Sequence, residues 1–145
     1  MTLRIREATA RDAVSVVELL RQLGYERGIE AVADDLHRAS ERVLLAEREG
    51  RVVGLAAITT ARTLAHDRPL SRITALVVDA SARRGGIGRA LPAAVLDQVR
   101  KDGCEGVELT TGIEPERSDA HRFYEALGFQ RTSYRFWRLL QVPGR

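Results

Sequence analysis

The sequence predicts an α/β (α+β) protein: a mixed, mostly antiparallel central sheet with helices on both of its faces. Three observations carry this. Two apolar runs, Val43-Leu-Leu-Ala-Glu and Val52-Val-Gly-Leu-Ala-Ala-Ile, flank the turn Arg48-Glu-Gly-Arg51 and read as an antiparallel hairpin. A strand, a glycine-rich turn, a helix and a second strand follow between Ile73 and Thr111, the pattern of a crossover between parallel strands. Two consecutive helical periodicities precede the hairpin, so helices are available to cover the sheet.

Each element has a local reason. Leu3-Arg-Ile-Arg-Glu alternates apolar and polar residues, as a half-buried strand does. Thr9 stands three residues before Asp12, which resembles a capping box, and Ala13, Val16, Val17 and Leu20 then follow at helical spacing up to Gly24. Ile29, Val32, Ala33 and Leu36 repeat that spacing in a second helix. After the hairpin, Thr60 to Pro69 is polar and reads as a loop. Ile73-Thr-Ala-Leu-Val-Val-Asp79 is a nearly continuous apolar strand, expected to be buried on both faces. A helix starting beyond residues 85–88 places Leu91, Ala94, Val95 and Val99 on one side and stops at Gly103; Pro92 lies early within it. Val107 to Thr111 is a short strand. Ser118 to Leu127 is a helix with Ala120, Phe123, Tyr124 and Leu127 on its apolar face, and Gly128 suits a left-handed cap. Arg131 to Leu140 is expected to be a last strand whose aromatics, Tyr134, Phe136 and Trp137, pack against the sheet or a second subunit. The expected order is βααββ–βαβαβ, in one domain over residues 1–145.

Composition narrows the class. With 145 residues, 44% of them hydrophobic and 30% charged, the chain has an ordinary globular balance. Cys104 is the sole cysteine, so no internal disulfide forms. The first residues hold no apolar stretch of signal-peptide length, and no run reaches the ~18 apolar residues of a membrane span. The expectation is a cytoplasmic protein without membrane association. Lys101 is the only lysine, leaving 22 of the 23 basic residues as arginine. A net charge of +3 does not by itself argue for nucleic acid. Three scattered histidines and one cysteine have no metal-ligand spacing, so no metal is expected.

The most informative stretch runs from Val77 through Asp79 and Arg83-Arg84-Gly85-Gly86-Ile87-Gly88-Arg89 to Leu91. It sets an apolar strand, three glycines among arginines and a helix start in direct succession. Glycine permits positive φ and close backbone approach, and the first-turn amides of a helix lack internal partners and favour an anion. Arg83, Arg84 and Arg89 add charge at the same point, which makes the turn a pyrophosphate cradle candidate. The dinucleotide fingerprint does not fit, because Leu91 stands three residues after Gly88, and no Gly-Lys-Ser/Thr tripeptide occurs.

Arg83-Arg-Gly-Gly86-Ile-Gly88 resembles the R/Q-x-x-G-x-G/A motif of the GNAT (GCN5-related) N-acetyltransferases, directly after a strand ending in Val-Asp. Ala120-His-Arg-Phe-Tyr124-Glu-Ala-Leu-Gly128-Phe129 is similar to the family's A-x-x-F/L-Y-x-x-x-G-F signature. The resemblance spans about residues 3–139. It implies the family's acyl-CoA fold and transfer of the acetyl group of acetyl-CoA directly to a primary amine of a small molecule or protein. It further implies that the pantetheine arm pairs with the backbone of Leu76, Val77 and Val78. The pyrophosphate would then lie on the amides of Arg84, Gly85, Gly86, Ile87, Gly88 and Arg89, with the arginine side chains, Arg83 included, nearby. Tyr124 occupies the position of the acid that meets the departing thiolate. A homodimer is an expectation from relatives.

The proton acceptor is left open. Many relatives carry a glutamate on the fourth strand, but Arg72-Ile-Thr-Ala-Leu-Val-Val has none. Glu108, His121, His66 and Asp67 are candidates, and none is selected. The rival readings are a non-catalytic acyl-CoA-binding regulatory domain and a nucleic-acid-binding module, the latter marked by steep salt dependence and indifference to CoA.

Overall fold

The computed structural model describes residues 2–83, 85–113 and 115–141. The chain forms two compact units, Met1–Leu109 and Thr110–Arg145. The first contains β1 (Leu3–Glu7), α1 (Ala13–Gln22), α2 (Ile29–Arg38), β2 (Arg42–Arg48), β3 (Arg51–Ala61), β4 (Leu70–Val78), α3 (Ile87–Lys101) and β5 (Gly106–Glu108). The second contains α4 (Ser118–Ala126).

The sheet order is β1-β2-β3-β4-β5; the first three pairings are antiparallel and β4 with β5 is parallel. The predicted hairpin is present: Glu49 (φ 53°) and Gly50 (φ 75°) both take positive φ, as a twist-compatible two-residue turn demands. Successive residues of a strand face opposite sides, and β3 shows what covers each. Leu55 and Ala57 join Val16, Val17, Leu19 and Val32 in a core under α1 and α2. Gly54 faces the other way, where an added Cβ would stand 3.3 Å from Ile87 and Leu91 of α3. Ile87, Leu91, Val95 and Val99 recur every four residues and are buried. Each such side chain contributes roughly 1.5–3 kcal/mol by leaving water.

Three helix ends share one chemistry. In α1, α3 and α4 a glycine follows the last turn with positive φ: Gly24 (102°), Gly103 (77°) and Gly128 (97°). In each the next residue's amide returns to the carbonyl five residues earlier, Tyr25 to Leu20, Cys104 to Val99 and Phe129 to Tyr124, at 2.9–3.1 Å. This is the Schellman arrangement, and only glycine takes its left-handed position without steric cost. The second helix differs: Ala39 holds the left-handed position (φ 53°), which costs a residue with a Cβ about 1–2 kcal/mol. Ala39→Gly is therefore expected to raise the unfolding free energy by up to about 1 kcal/mol, since glycine's looser unfolded chain offsets part of the gain. Urea titration of the two proteins measures it.

Three sequence expectations are corrected. The strand buried on both faces is β3, whereas β4 buries Ser71, Ile73, Ala75 and Val77 and leaves Thr74 exposed. Hydrophobic content could not reveal a bulge: Ala57 and Ile58 pair with Ala75 and Ile73, so Thr74 is the extra residue of β4. The fifth strand ends at Glu108 rather than Thr111. Residues 131–141 form no strand, and Tyr134, Phe136, Trp137, Leu139 and Leu140 are exposed rather than packed. Strand propensity reflects packing on a pleated neighbour more than a backbone preference, and alternation alone supplies no neighbour. Arg135 instead stacks over the Trp137 ring at 4.4 Å. Pro92 is the sixth residue of α3, so the helix lacks the bond that residue 92 would make to the Gly88 carbonyl but continues to Lys101.

Candidate functional site

Two features of β4 define the site in the first unit. β5 pairs only with Leu70, Ser71 and Arg72, so from Ile73 to Val78 the two parallel strands have no shared ladder. On its other side β4 stays paired, with Leu76, Val77 and Val78 opposite Ala56, Leu55 and Gly54. The β5-facing edge of residues 73–78 thus offers backbone groups to an extended ligand. The Val77 side chain is buried in the core and its backbone is turned to Leu55 of β3, so the backbone groups on the open edge are those of Leu76 and Val78.

Beyond Val78 the chain makes a short 3₁₀ turn (Ala80–Ala82) and enters α3 through Gly86, whose φ of 82° is left-handed. An added Cβ at Gly86 or Gly88 would meet no atom within 4 Å, so both glycines border open space. The first intrahelical bonds run from the Arg89 and Ala90 amides to the Gly86 carbonyl, at 3.3 and 3.0 Å. The amides of Ile87 and Gly88 precede them and point out of the helix's positive end. Ile87 anchors this end by burying its side chain completely. Arg83 and Arg89 are exposed. Arg84 lies outside the described residues.

The loop is held by groups that spacing alone does not reveal. Asp79 is buried, and its carboxylate accepts from Gln22 Nε2 at 3.0 Å, Arg51 at 2.7 Å and the Ser81 hydroxyl at 3.0 Å. Gln22 also accepts from the Ala80 amide at 2.9 Å, and Asp79's own amide donates to Val53 O at 2.8 Å. At the other end of the loop Arg48 donates to Gly85 O at 2.7 Å, and its guanidinium fills the space a Cβ on Gly85 would need. The hairpin arginines, Arg48 and Arg51, therefore clamp the loop at both ends. Only the hairpin was legible beforehand; the contacts join residues 28–57 positions apart.

The Gln22 hydrogen bond, with Ser81 and Arg51, holds the Asp79 carboxyl below its ordinary range against the opposing effect of burial. Asp12 is lowered too, chiefly by its hydrogen bonds from Arg6 at 2.8 and 3.0 Å. A lowered folded-state pKa contributes stability that is complete above the unfolded value near ~3.9 and is lost as pH falls through the folded one. Melting temperature, followed by circular dichroism, is expected to drop on acidification below about pH 4. Asp79→Asn should show a lower melting temperature at pH 7 and a shallower drop.

A cavity of about 350 Å³ opens between α1, α2 and the middle of the sheet. Val16, Leu20, Val32, Leu36 and Leu55 supply apolar walls; Arg27, Asp35, Glu41 and Thr74 are among its polar groups. Asp35 accepts from Arg27 at 2.8 Å. Glu41 accepts from the hydroxyl of Thr74, the bulged residue of β4, at 2.7 Å. Sequence reading missed Glu41, and a long-range contact to a bulge leaves no periodic trace.

Three of the four proton-acceptor candidates hold a side-chain hydrogen bond of their own. Glu108 accepts from Arg72 at 2.7 Å, His66 shares a hydrogen bond with Thr63 at 2.9 Å, and the His121 Nε2 contacts Gly112 O at 2.7 Å. Asp67 is exposed, and its backbone carbonyl accepts from Arg62 at 3.3 Å. Among the described residues no group of three or more His, Cys, Asp or Glu could hold a metal, and no helix is long and apolar enough to cross a membrane.

In the second unit Tyr124 occupies the last turn of α4, where its carbonyl accepts the Phe129 amide at 3.0 Å. Its ring meets those of Phe123 and Phe129 edge-on, with centroids 5.4 and 5.9 Å away. The Gly128-Phe129 pair is thus the helix stop and its hydrophobic contact, and it fixes the tyrosine's backbone and ring. Burial pushes the Tyr124 phenol above its ordinary pKa, so it is a protonated donor at neutral pH.

The Acetyltransferase (GNAT) family model matches residues 10–129. The aminoalkylphosphonate N-acetyltransferase of Salmonella typhimurium is 33% identical over 141 residues, 94% of this chain and 90% of that protein. An aminoglycoside N(6')-acetyltransferase type 1 of Stenotrophomonas maltophilia is 31% identical over 138 residues, 88% of this chain and 86% of its own. Among solved structures, an acetyltransferase of Trypanosoma brucei superposes with a TM-score of 0.79 at 29% identity, covering 97% of this chain and all of that one (100%).

Proposed function

Since the chain belongs to the GNAT acetyltransferase family, we propose that it transfers the acetyl group of acetyl-CoA directly to the primary amine of a small molecule. The observation that carries this reading is the continuity of an unpaired β4 edge with a glycine-lined helix start. An extended thioester arm running past Leu76, Val77 and Val78 can take the backbone bonds of Leu76 and Val78, which alternate to the open edge while Val77 pairs with Leu55. Its pyrophosphate can then rest on the amides of Gly86, Ile87 and Gly88, near Arg83 and Arg89. Backbone donors and the helix dipole favour the anion without requiring particular side chains. The family match from residue 10 to residue 129 runs through both units and supports reading residues 1–145 as one acetyltransferase domain.

In the reaction the amine's lone pair attacks the thioester carbonyl, and the oxyanion takes a hydrogen bond from a β4 amide. The C–S bond then breaks, the CoA sulfur leaves as thiolate, and the nitrogen's remaining extra proton is lost. Tyr124 is the proposed donor to that sulfur, because its raised pKa keeps the hydroxyl protonated. The cavity beside Thr74 is the proposed acceptor site. Both relatives' names specify amine-bearing small molecules, an aminoalkylphosphonate and an aminoglycoside, which supports a small-molecule acceptor over a protein one. Thiol release from acetyl-CoA, followed across a panel containing both amine classes, tests the reading. Amine-dependent release supports it, and acetyl-CoA binding without release on any amine would favour a regulatory domain. The homodimer expected from relatives is checked by sedimentation, and the cytoplasmic setting expected from the sequence by fractionation.

A further inference from the structure

Among the described residues, one carboxylate lining the cavity beside β4 has no counter-ion. Asp35 is paired with Arg27 at 2.8 Å, so these two charges offset each other. Among the described residues Glu41 has no ion-pair partner; its Oε1 accepts from Thr74 at 2.7 Å. Glu41 lies two residues after the left-handed Ala39 that closes α2, a conformation an alanine adopts only against a steric cost. Thr74 is the extra residue of the β4 bulge, and bulges re-aim side chains. The two irregularities together bring a half-buried carboxylate to the rim of an otherwise mainly apolar cavity, at the strand whose edge is open. An unpaired negative charge in such a place attracts a cation.

We propose that Glu41 anchors the acceptor's ammonium group, so that this site selects cationic primary amines with an apolar body over neutral molecules of the same shape. The proposal rests on the acetyltransferase reading and specifies its acceptor. Glu41 acts by binding rather than by taking the proton. The proton leaves to water from the bound amine, and the freed lone pair faces β4. Oε1 is oriented by Thr74, and Oε2 meets the ammonium.

The test uses the full chain with 2-phenylethylamine and its neutral counterpart 2-phenylethanol, titrated by protein-observed NMR at pH 7 in wild type and Glu41→Gln. Glutamine's oxygen can still accept from Thr74, so the fold should be kept, which the melting temperature checks. Wild type is expected to bind the amine at least tenfold more tightly than the alcohol, and Glu41→Gln to bind both alike. In turnover, Glu41→Gln should raise the KM for the amine at least tenfold and leave the Kd for acetyl-CoA unchanged. Equal binding of amine and alcohol by wild type overturns the anchor and needs no variant, and so does an unchanged preference in Glu41→Gln. If wild type prefers the amine yet releases no thiol with any acceptor, the acetyltransferase reading fails while the anchor stands. If thiol is released but the variant's KM is unchanged, the anchor alone fails.

Discussion

Gly86→Trp is expected to weaken acetyl-CoA binding at least 100-fold, about 2.7 kcal/mol, while the protein remains folded. An added Cβ at Gly86 would meet no atom within 4 Å, so an indole there extends into the open space in front of α3 that the pyrophosphate is proposed to fill. The backbone does resist, because a φ of 82° costs a residue with a Cβ roughly 1–2 kcal/mol. Gly88→Trp separates that strain from the loss of binding. Gly88 has no positive φ and an equally open surrounding, and a helical side chain tilts toward the N-terminal end, here the cradle. Calorimetry on both variants is decisive. Loss of binding in both assigns the anion to this turn, and retained affinity in folded Gly88→Trp removes it from there.

Tyr124→Phe is expected to lower kcat by about 10- to 100-fold, at the modest end of general-acid effects, with little change in the Kd for acetyl-CoA. Phenylalanine keeps the edge-on contacts with Phe123 and Phe129, and the helix stop uses the Tyr124 backbone. Among the described residues the hydroxyl has no hydrogen-bond partner, so its removal leaves no buried group unsatisfied. Stability should therefore hold while turnover falls. Equal turnover by the variant would reduce Tyr124 to a packing residue.

What was legible in the sequence was what local rules encode. Gly24, Gly103 and Gly128 each end a helix because the left-handed position has a strong residue preference, and the Arg48–Arg51 turn is set by Glu49 and Gly50. The Gly128-Phe129 signature read from the sequence turns out to be a Schellman stop with its aromatic contact, which explains why glycine and a hydrophobe follow Tyr124 at that spacing. The chain's glycine-rich turn was legible for the same reason. Its supports were not: Gln22, Arg51 and Asp79 meet only after the sheet forms, and Glu41 meets Thr74 only because β4 bulges. The final segment failed from the opposite cause. Tyr134, Phe136 and Leu140 look like strand residues by type, but residues 131–141 form no strand and these side chains stay exposed.

The central claim is that an acyl-CoA lies along the β4 edge with its pyrophosphate on the start of α3. Calorimetric titration of the intact chain with acetyl-CoA, beside ATP and NAD, tests it most directly. The account predicts saturable one-to-one binding of acetyl-CoA, with ATP and NAD at least tenfold weaker, because the pantetheine arm alone can use the strand edge. Absence of binding by a folded sample, or equal affinity for all three, would contradict it.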